Sequence, residues 1–379
     1  MPFVLGGFFQ LIRKLEMQAL KLSNWLNTTD PTVRRILRFT LGVTLSVAVS
    51  FAIAWPLYFV TPIFAAKFLG SPAPSPNLRA VLTILLVMAI GCGVGLVVSV
   101  ATGRYPVVCL LTVALLLFHI FYANVRGTSP LVISFLLIGI TVIPLMGMES
   151  IDLAAGIASG LLLSAALAFA FVWIAHGLIP DRVSESKAPA APSGHQPMSA
   201  SEQIRSAAIS TLVVLPVIIV FFTLKMTNEL LVLVFIAMLA QQPDVKIGVK
   251  GSMALIIGNT AGGIAAIVFY NLLIAVPEYV FLILLAILFS LFFGERIFSD
   301  KPMAGLYAAA FSTVILLVGS TTGDFGGDAG SKFYIRIAQI VAAAVYIVGV
   351  FMLLEFLSRS LKRPADIDQT QIIDDLDVT

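Results

Sequence analysis

Charge is what this chain has least of. Of 379 residues only 11% are Asp, Glu, Lys or Arg, against roughly 25% in a soluble globular domain. Hydrophobic residues make up 59% and mean hydropathy is +1.03, so a water-soluble fold would have too little polar surface to cover itself. Cysteine is nearly absent: Cys92 and Cys109 both fall in apolar runs, which excludes a disulfide framework. The three histidines, His119, His176 and His195, have no metal-ligand spacing, and His119, inside a span, suits packing better than a proton relay. There is no His-Glu-x-x-His motif, no glycine-rich phosphate loop ending in Lys and Ser or Thr, and no pair of carboxylates deep in the apolar runs. Enzymatic function, a bound metal and a cofactor are therefore not expected. The net charge of +3 sits in short loops between apolar runs, where membrane topology accounts for it and a nucleic acid partner is not needed.

What the chain does have is long uncharged stretches. Ala80 to Gly103, Tyr105 to Val125, Gly127 to Met148, Leu153 to Pro180 and Gly251 to Pro277 contain no Asp, Glu, Lys or Arg, and each exceeds the ~18 residues that mark a membrane-spanning helix. Hydrocarbon offers no hydrogen-bond partners, so spanning backbone is helical or a closed barrel, and runs this continuous lack the alternation of a barrel. The class is all-α, a polytopic membrane protein.

Sliding the chain against itself by 171 residues reveals an internal repeat. Arg34 falls on Arg205, Phe51 on Phe222, Pro72 on Pro243, Gly91 on Gly262, Pro106 on Pro277 and Phe121 on Phe292. Past Met148 an extra loop, Gly319 to Lys332, lengthens the offset and places Asp152 on Arg336. Each half carries six hydrophobic segments: near 35–54, 58–69, 80–103, 105–125, 129–148 and 153–178, then 206–225, 230–242, 251–275, 278–294, 303–320 and 334–356. If the short segments 58–69 and 230–242 span, there are about 12 transmembrane helices in two parallel six-helix repeats; if both are re-entrant, the halves are inverted. The larger count leaves only Arg104, Lys225, Lys332 and Arg336 outside or at the outer boundary, so the positive-inside rule favours it.

The resulting organisation is an interfacial amphipathic helix over 1–30, a first repeat over 31–180, a Ser-, Ala- and Pro-rich linker over 181–203, a second repeat over 204–358, and an acidic tail over 359–379. Both termini are expected in the cytoplasm, with the lipid bilayer as the chain's main partner and a homo-oligomer compatible with the pattern.

Paired short segments in matching places of two halves point to a transporter binding site, because discontinuous helices expose backbone to a cavity. Here these are Tyr58 to Phe68, interrupted by Pro62, and Leu230 to Ala240, which runs into Gln241, Gln242, Pro243 and Asp244. The helix that follows carries Gly258, Asn259, Thr260 and Gly262. Small residues there allow close helix approach, and Asn259 suits either an interhelical hydrogen bond or a substrate contact. On the last helix Arg336 and Gln339 share a face, with Arg336 placed for anion recognition or for pairing with Asp152. The candidate substrate-binding residues are thus Gln242, Asp244, Asn259, Thr260, Arg336 and Gln339.

The segment Ala240 to Gly263, AQQPDVKIGVKGSMALIIGNTAGG, together with Arg336 at the start of the last helix, resembles the fusaric acid resistance and aromatic acid exporter superfamily of bacterial inner-membrane proteins. Two departures stand out: the large cytoplasmic domain between the halves is reduced to a linker, and the arginine often preceding the first glycine of the helix motif is apolar here. The resemblance implies proton-driven efflux of small aromatic or carboxylated compounds across the inner membrane, alongside a periplasmic membrane-fusion adaptor. Two other readings fit the residues: a passive anion channel, and a non-transporting scaffold for such an adaptor.

Overall fold

Apolar runs bounded by capping residues become helices. The structure, a computed structural model, describes residues 30–55, 57–71, 74–180, 199–224, 245–299 and 303–321, together with Ala338, Val345, Tyr346, Gly349 and Val350. Ten helices occupy the described residues: α1 (Pro31–Ile53), α2 (Val60–Leu69), α3 (Leu78–Thr102), α4 (Pro106–Val125), α5 (Pro130–Gly147), α6 (Ile151–Leu178), α7 (Ala200–Leu224), α8 (Val245–Ala275), α9 (Tyr279–Ile297) and α10 (Ala304–Thr321). The expected segments 1–29, 230–242 and most of 334–356 lie outside the described residues, as do most of the linker and the whole tail.

The helix starts follow from side-chain chemistry. Asp30 accepts a hydrogen bond from the Thr32 amide at 2.8 Å, and Asn77 accepts one from the Ala80 amide at 2.8 Å. Pro31, Pro106 and Pro130 occupy first positions, where the missing N–H has no intrahelical partner to lose. At α7 the Ser199 amide donates to Glu202 Oε2 at 2.8 Å and the Glu202 amide to Ser199 Oγ at 3.4 Å, a reciprocal box. This box starts the helix at Ala200, inside the stretch expected to be linker.

Among the described residues seven helices are long and apolar enough to cross a membrane: α1, α3, α4, α6, α7, the Ile257–Ala275 part of α8, and α9. Shorter apolar helices, α2 and parts of α5 and α10, pack among them. Leu82, Leu86, Ile90 and Val97 on α3, and Val107, Leu111 and Leu115 on α4, are exposed; such faces need lipid, not water, around them. The chain is a polytopic all-helical membrane protein in contact with the bilayer.

The closest helix pairs are built on small residues. α3 crosses α5 where Gly91 meets Gly139, so tightly that a Cβ on Gly139 would lie 2.5 Å from the Gly91 carbonyl carbon and 2.7 Å from the Cys92 amide nitrogen. α8 crosses α10 where Gly262 meets Ala310, a Cβ there reaching 2.9 Å from the Ala310 Cα. The residues at the second crossing stand 171 positions after those at the first. Pairings between the halves are also reciprocal: α4 packs on α7 and α9 packs on α1, and the same offset carries α1 onto α7 and α4 onto α9.

Two hydrogen bonds fix which helix ends lie together. An Arg34 Nη2 donates to the Pro180 carbonyl just past α6, and Trp173 Nε1 donates to the Pro76 carbonyl just before α3 at 2.8 Å. The starts of α1 and α3 and the end of α6 therefore share one end of the bundle. Arg34, only 4% exposed, stands at the negative end of the α6 dipole, where a cation is favoured. α2 returns towards that same end, with Leu69 packed over Gly42 of α1.

Candidate functional site at the α1–α2 corner

The chain leaves α1 through a residue in the left-handed region, Ala54 at φ 54° and ψ 51°, and turns again at Leu57, φ 61°. Among the described residues these are the non-glycine positions with positive φ, each costing about 1–2 kcal/mol against right-handed backbone. Strain of this kind persists only where the surroundings over-determine it. They do so here: Trp55, 9% exposed, donates its indole N–H to Ser164 Oγ at 3.0 Å, and Ser164 Oγ in turn donates to the Leu57 carbonyl at 3.2 Å. Tyr58 Oη donates to the Gly319 carbonyl of α10 at 3.0 Å. The Tyr58 ring stands edge-on to Phe51 at 4.9 Å and to Phe59 at 5.9 Å.

The depth of this corner gives it meaning. Ser164 is near the middle of α6, about 20 Å of helix rise from either end, so the non-helical residues Ala54, Trp55 and Leu57 lie within the bundle and not beyond its rim. Irregular backbone at such depth is tolerated only when buried in protein or lining a cavity. The Ser50 and Thr61 hydroxyls flanking the corner are fully buried and have no hydrogen-bond partner among the described residues. Several other buried hydroxyls turn back onto their own helix, as Ser99 does to the Gly95 carbonyl at 2.8 Å and Thr141 to that of Leu137 at 2.6 Å.

Pro62 does not interrupt this segment as expected. It falls in the first turn of α2, where a missing N–H costs no intrahelical bond; the break comes earlier, at residues 54–59. Of the residues expected to bind substrate, Asn259 and Thr260 are described. Asn259, 3% exposed, accepts a 2.5 Å hydrogen bond from Thr313 Oγ1 of α10, between the glycines that bring the two helices together. Because α8 begins at Val245 and not near 251, Asn259 stands about 20 Å of helix rise from the start of α8. Thr260 is exposed on another side of α8. Gln242, Asp244, Arg336 and Gln339 lie outside the described residues. Cys92 and Cys109 are buried and free, and His119 is exposed, its Nδ1 2.8 Å from the Leu115 carbonyl. Among the described residues no group of three or more His, Cys, Asp or Glu is placed to hold a metal ion.

Trp55, Ser164 and Tyr58 were not expected from the sequence as parts of a site. The available signal was the Ala54-Trp55-Pro56 step between two apolar segments; the proline disfavours helix at Trp55.

Residues 35–175, from α1 through most of α6, match a family model described as "Protein of unknown function (DUF2955)". The match covers less than half of the chain. No curated protein and no solved structure matches it.

Proposed function

We propose that the chain is an inner-membrane transporter that exports small aromatic or carboxylated organic compounds at the expense of the proton gradient. One observation carries the reading: a strained, non-helical corner buried at mid-length of α6, braced by side-chain hydrogen bonds and flanked by two unpartnered hydroxyls. Broken helices inside a membrane bundle are where transporters bind cargo. The resemblance to the aromatic acid exporter superfamily supplies the substrate class. The same resemblance supplies the proton gradient as energy source; the sequence itself carries no nucleotide-binding motif, which leaves an ion gradient or the substrate's own gradient.

The topology proposed with it is twelve crossings in two parallel repeats, with both termini cytoplasmic. The Arg34–Pro180 hydrogen bond supports an even number of crossings from α1 to α6, so α2 returns across whatever depth α1 enters. The matched crossings Gly91–Gly139 and Gly262–Ala310, and the reciprocal α4–α7 and α9–α1 pairs, support the duplication. Gln242, Asp244, Arg336 and Gln339 are assigned to the cargo path from their sequence pattern. Asn259 serves the α8–α10 interface first, and Thr260 is the weaker candidate of the pair. A periplasmic adaptor docking at the outer helix ends completes the proposal.

The test is extrusion from cells loaded with labelled benzoate. Wild-type protein should empty the cells faster than a vector control, an uncoupler should stop it, and Trp55→Ala should slow it at equal expression. Efflux that continues down its gradient after uncoupling would instead identify a passive channel, and efflux equal to the control would leave a non-transporting scaffold.

A further inference from the structure

A small cavity of about 30 Å³ lies between α1 of the first half and α8, α9 and α10 of the second. Its walls include Phe51, Phe269, Phe289 and Phe311, with Ala286 and Ser290 on α9, and none of its lining residues is ionisable. Ser290 is fully buried and its hydroxyl has no partner among the described residues. The Ala286 carbonyl one turn back was available to it, so the hydroxyl is left with both donor and acceptor capacity facing an otherwise apolar space.

Tyr58 stands beside this cavity on the side of the corner, against its wall. Its ring packs on Phe51, a wall residue, and its hydroxyl holds the carbonyl of Gly319, the neighbour of the wall residue Val318. The tyrosine thus links the end of α1 to α10 next to the space. We infer that this cavity is the binding site, that Tyr58 is its latch, and that it takes its ligand uncharged, as an apolar body carrying one hydrogen-bonding group. The inference rests on the transport reading and sharpens it, since a carboxylic acid would enter this space only in its protonated form. A charged group here would lose its water and find no counter-ion among the lining residues. A benzene-sized guest needs roughly 150 Å³, so α1 and α10 must part for loading, and the Tyr58–Gly319 hydrogen bond is what holds them.

The test reads occupancy directly on purified protein and does not depend on transport. In a Cys92→Ala, Cys109→Ala background, Ser290→Cys is modified with methyl methanethiosulfonate in the presence of benzyl alcohol, benzoate or benzylammonium, which share size and differ in charge. Ala286→Cys is the reporter if Ser290→Cys does not fold, and Ser312→Cys, which does not line the cavity, is the control. Benzyl alcohol at roughly ten times its Kd should slow modification at 290 about tenfold, with no effect at 312 and none from either ion. Adding Tyr58→Phe, which keeps the ring and removes the latch, should speed unprotected modification. No protection by benzyl alcohol, or equal protection by benzoate, overturns the inference. Protection in a protein that fails to move benzoate would keep the site and discard the transport reading.

Discussion

Replacing Gly139 with alanine tests the packing of the membrane bundle at its tightest point. The added Cβ would lie 2.5 Å from the Gly91 carbonyl carbon, 2.7 Å from the Cys92 amide nitrogen and 2.8 Å from the Gly91 carbonyl oxygen. All three are backbone atoms, so no side chain can rotate away and the helices themselves must separate by about 1 Å to restore ordinary contact at ~3.5–4.0 Å. A gap of that size forfeits a quarter to a half of the dispersion well for atoms along the interface, and overpacking of this kind costs about 1–3 kcal/mol. Against it stands a helix-propensity gain of about 1 kcal/mol for Gly to Ala. The net expectation is a loss of about 0–2 kcal/mol, and of about 1–3 kcal/mol relative to an alanine introduced where nothing is overpacked. Gly93, two residues on in α3 from Gly91, is the internal control, because a Cβ there meets nothing within 4 Å; Gly93→Ala should be neutral or stabilising. Gly262→Ala should behave like Gly139→Ala, since its Cβ meets the Ala310 Cα at 2.9 Å. The assay is reversible unfolding in mixed micelles by SDS titration, followed by tryptophan fluorescence. If Gly139→Ala is as stable as Gly93→Ala, the close α3–α5 crossing is wrong.

Other expectations concern the corner and the second half. Ala54→Gly should stabilise the protein by about 1 kcal/mol, because glycine adopts φ 54° without the left-handed penalty; destabilisation in the same SDS titration would argue against the turn. A double-mutant cycle of Trp55→Phe and Ser164→Ala should return a coupling of about 1 kcal/mol for their 3.0 Å hydrogen bond, and additivity would deny that the pair meets. Thr313→Val should cost only about 0.6 kcal/mol, the usual worth of an interhelical hydrogen bond in a membrane; complete loss of fold would mean that Asn259 has a larger role than packing.

The spans were legible because an uncharged run longer than the hydrocarbon is thick fits a bilayer and little else. Helix starts were less legible: Asp30, Asn77 and Ser199 cap the turns that follow them, yet the Ser199 box opens α7 inside the stretch expected to be linker. The α1–α2 corner was only half legible. Two neighbouring segments and their proline were visible, but Pro62 drew attention to a place where proline does no harm, while the break depends on Ser164, more than a hundred residues away in sequence. Asn259 shows the same limit. Its amide reads equally as ligand contact or helix glue until Thr313 is found opposite it. Orphaned hydroxyls such as those of Ser50, Thr61 and Ser290 carry no sequence signature, since a serine that bonds its own helix and one that does not are the same letter.

Transport is the central claim, and flux through purified protein tests it most directly. Proteoliposomes holding the protein and an imposed pH gradient are given labelled benzoate outside, with protein-free vesicles alongside. Protein-dependent accumulation is expected, collapsing when the gradient is discharged and reduced by Trp55→Ala. Equal uptake in protein-free vesicles would contradict it.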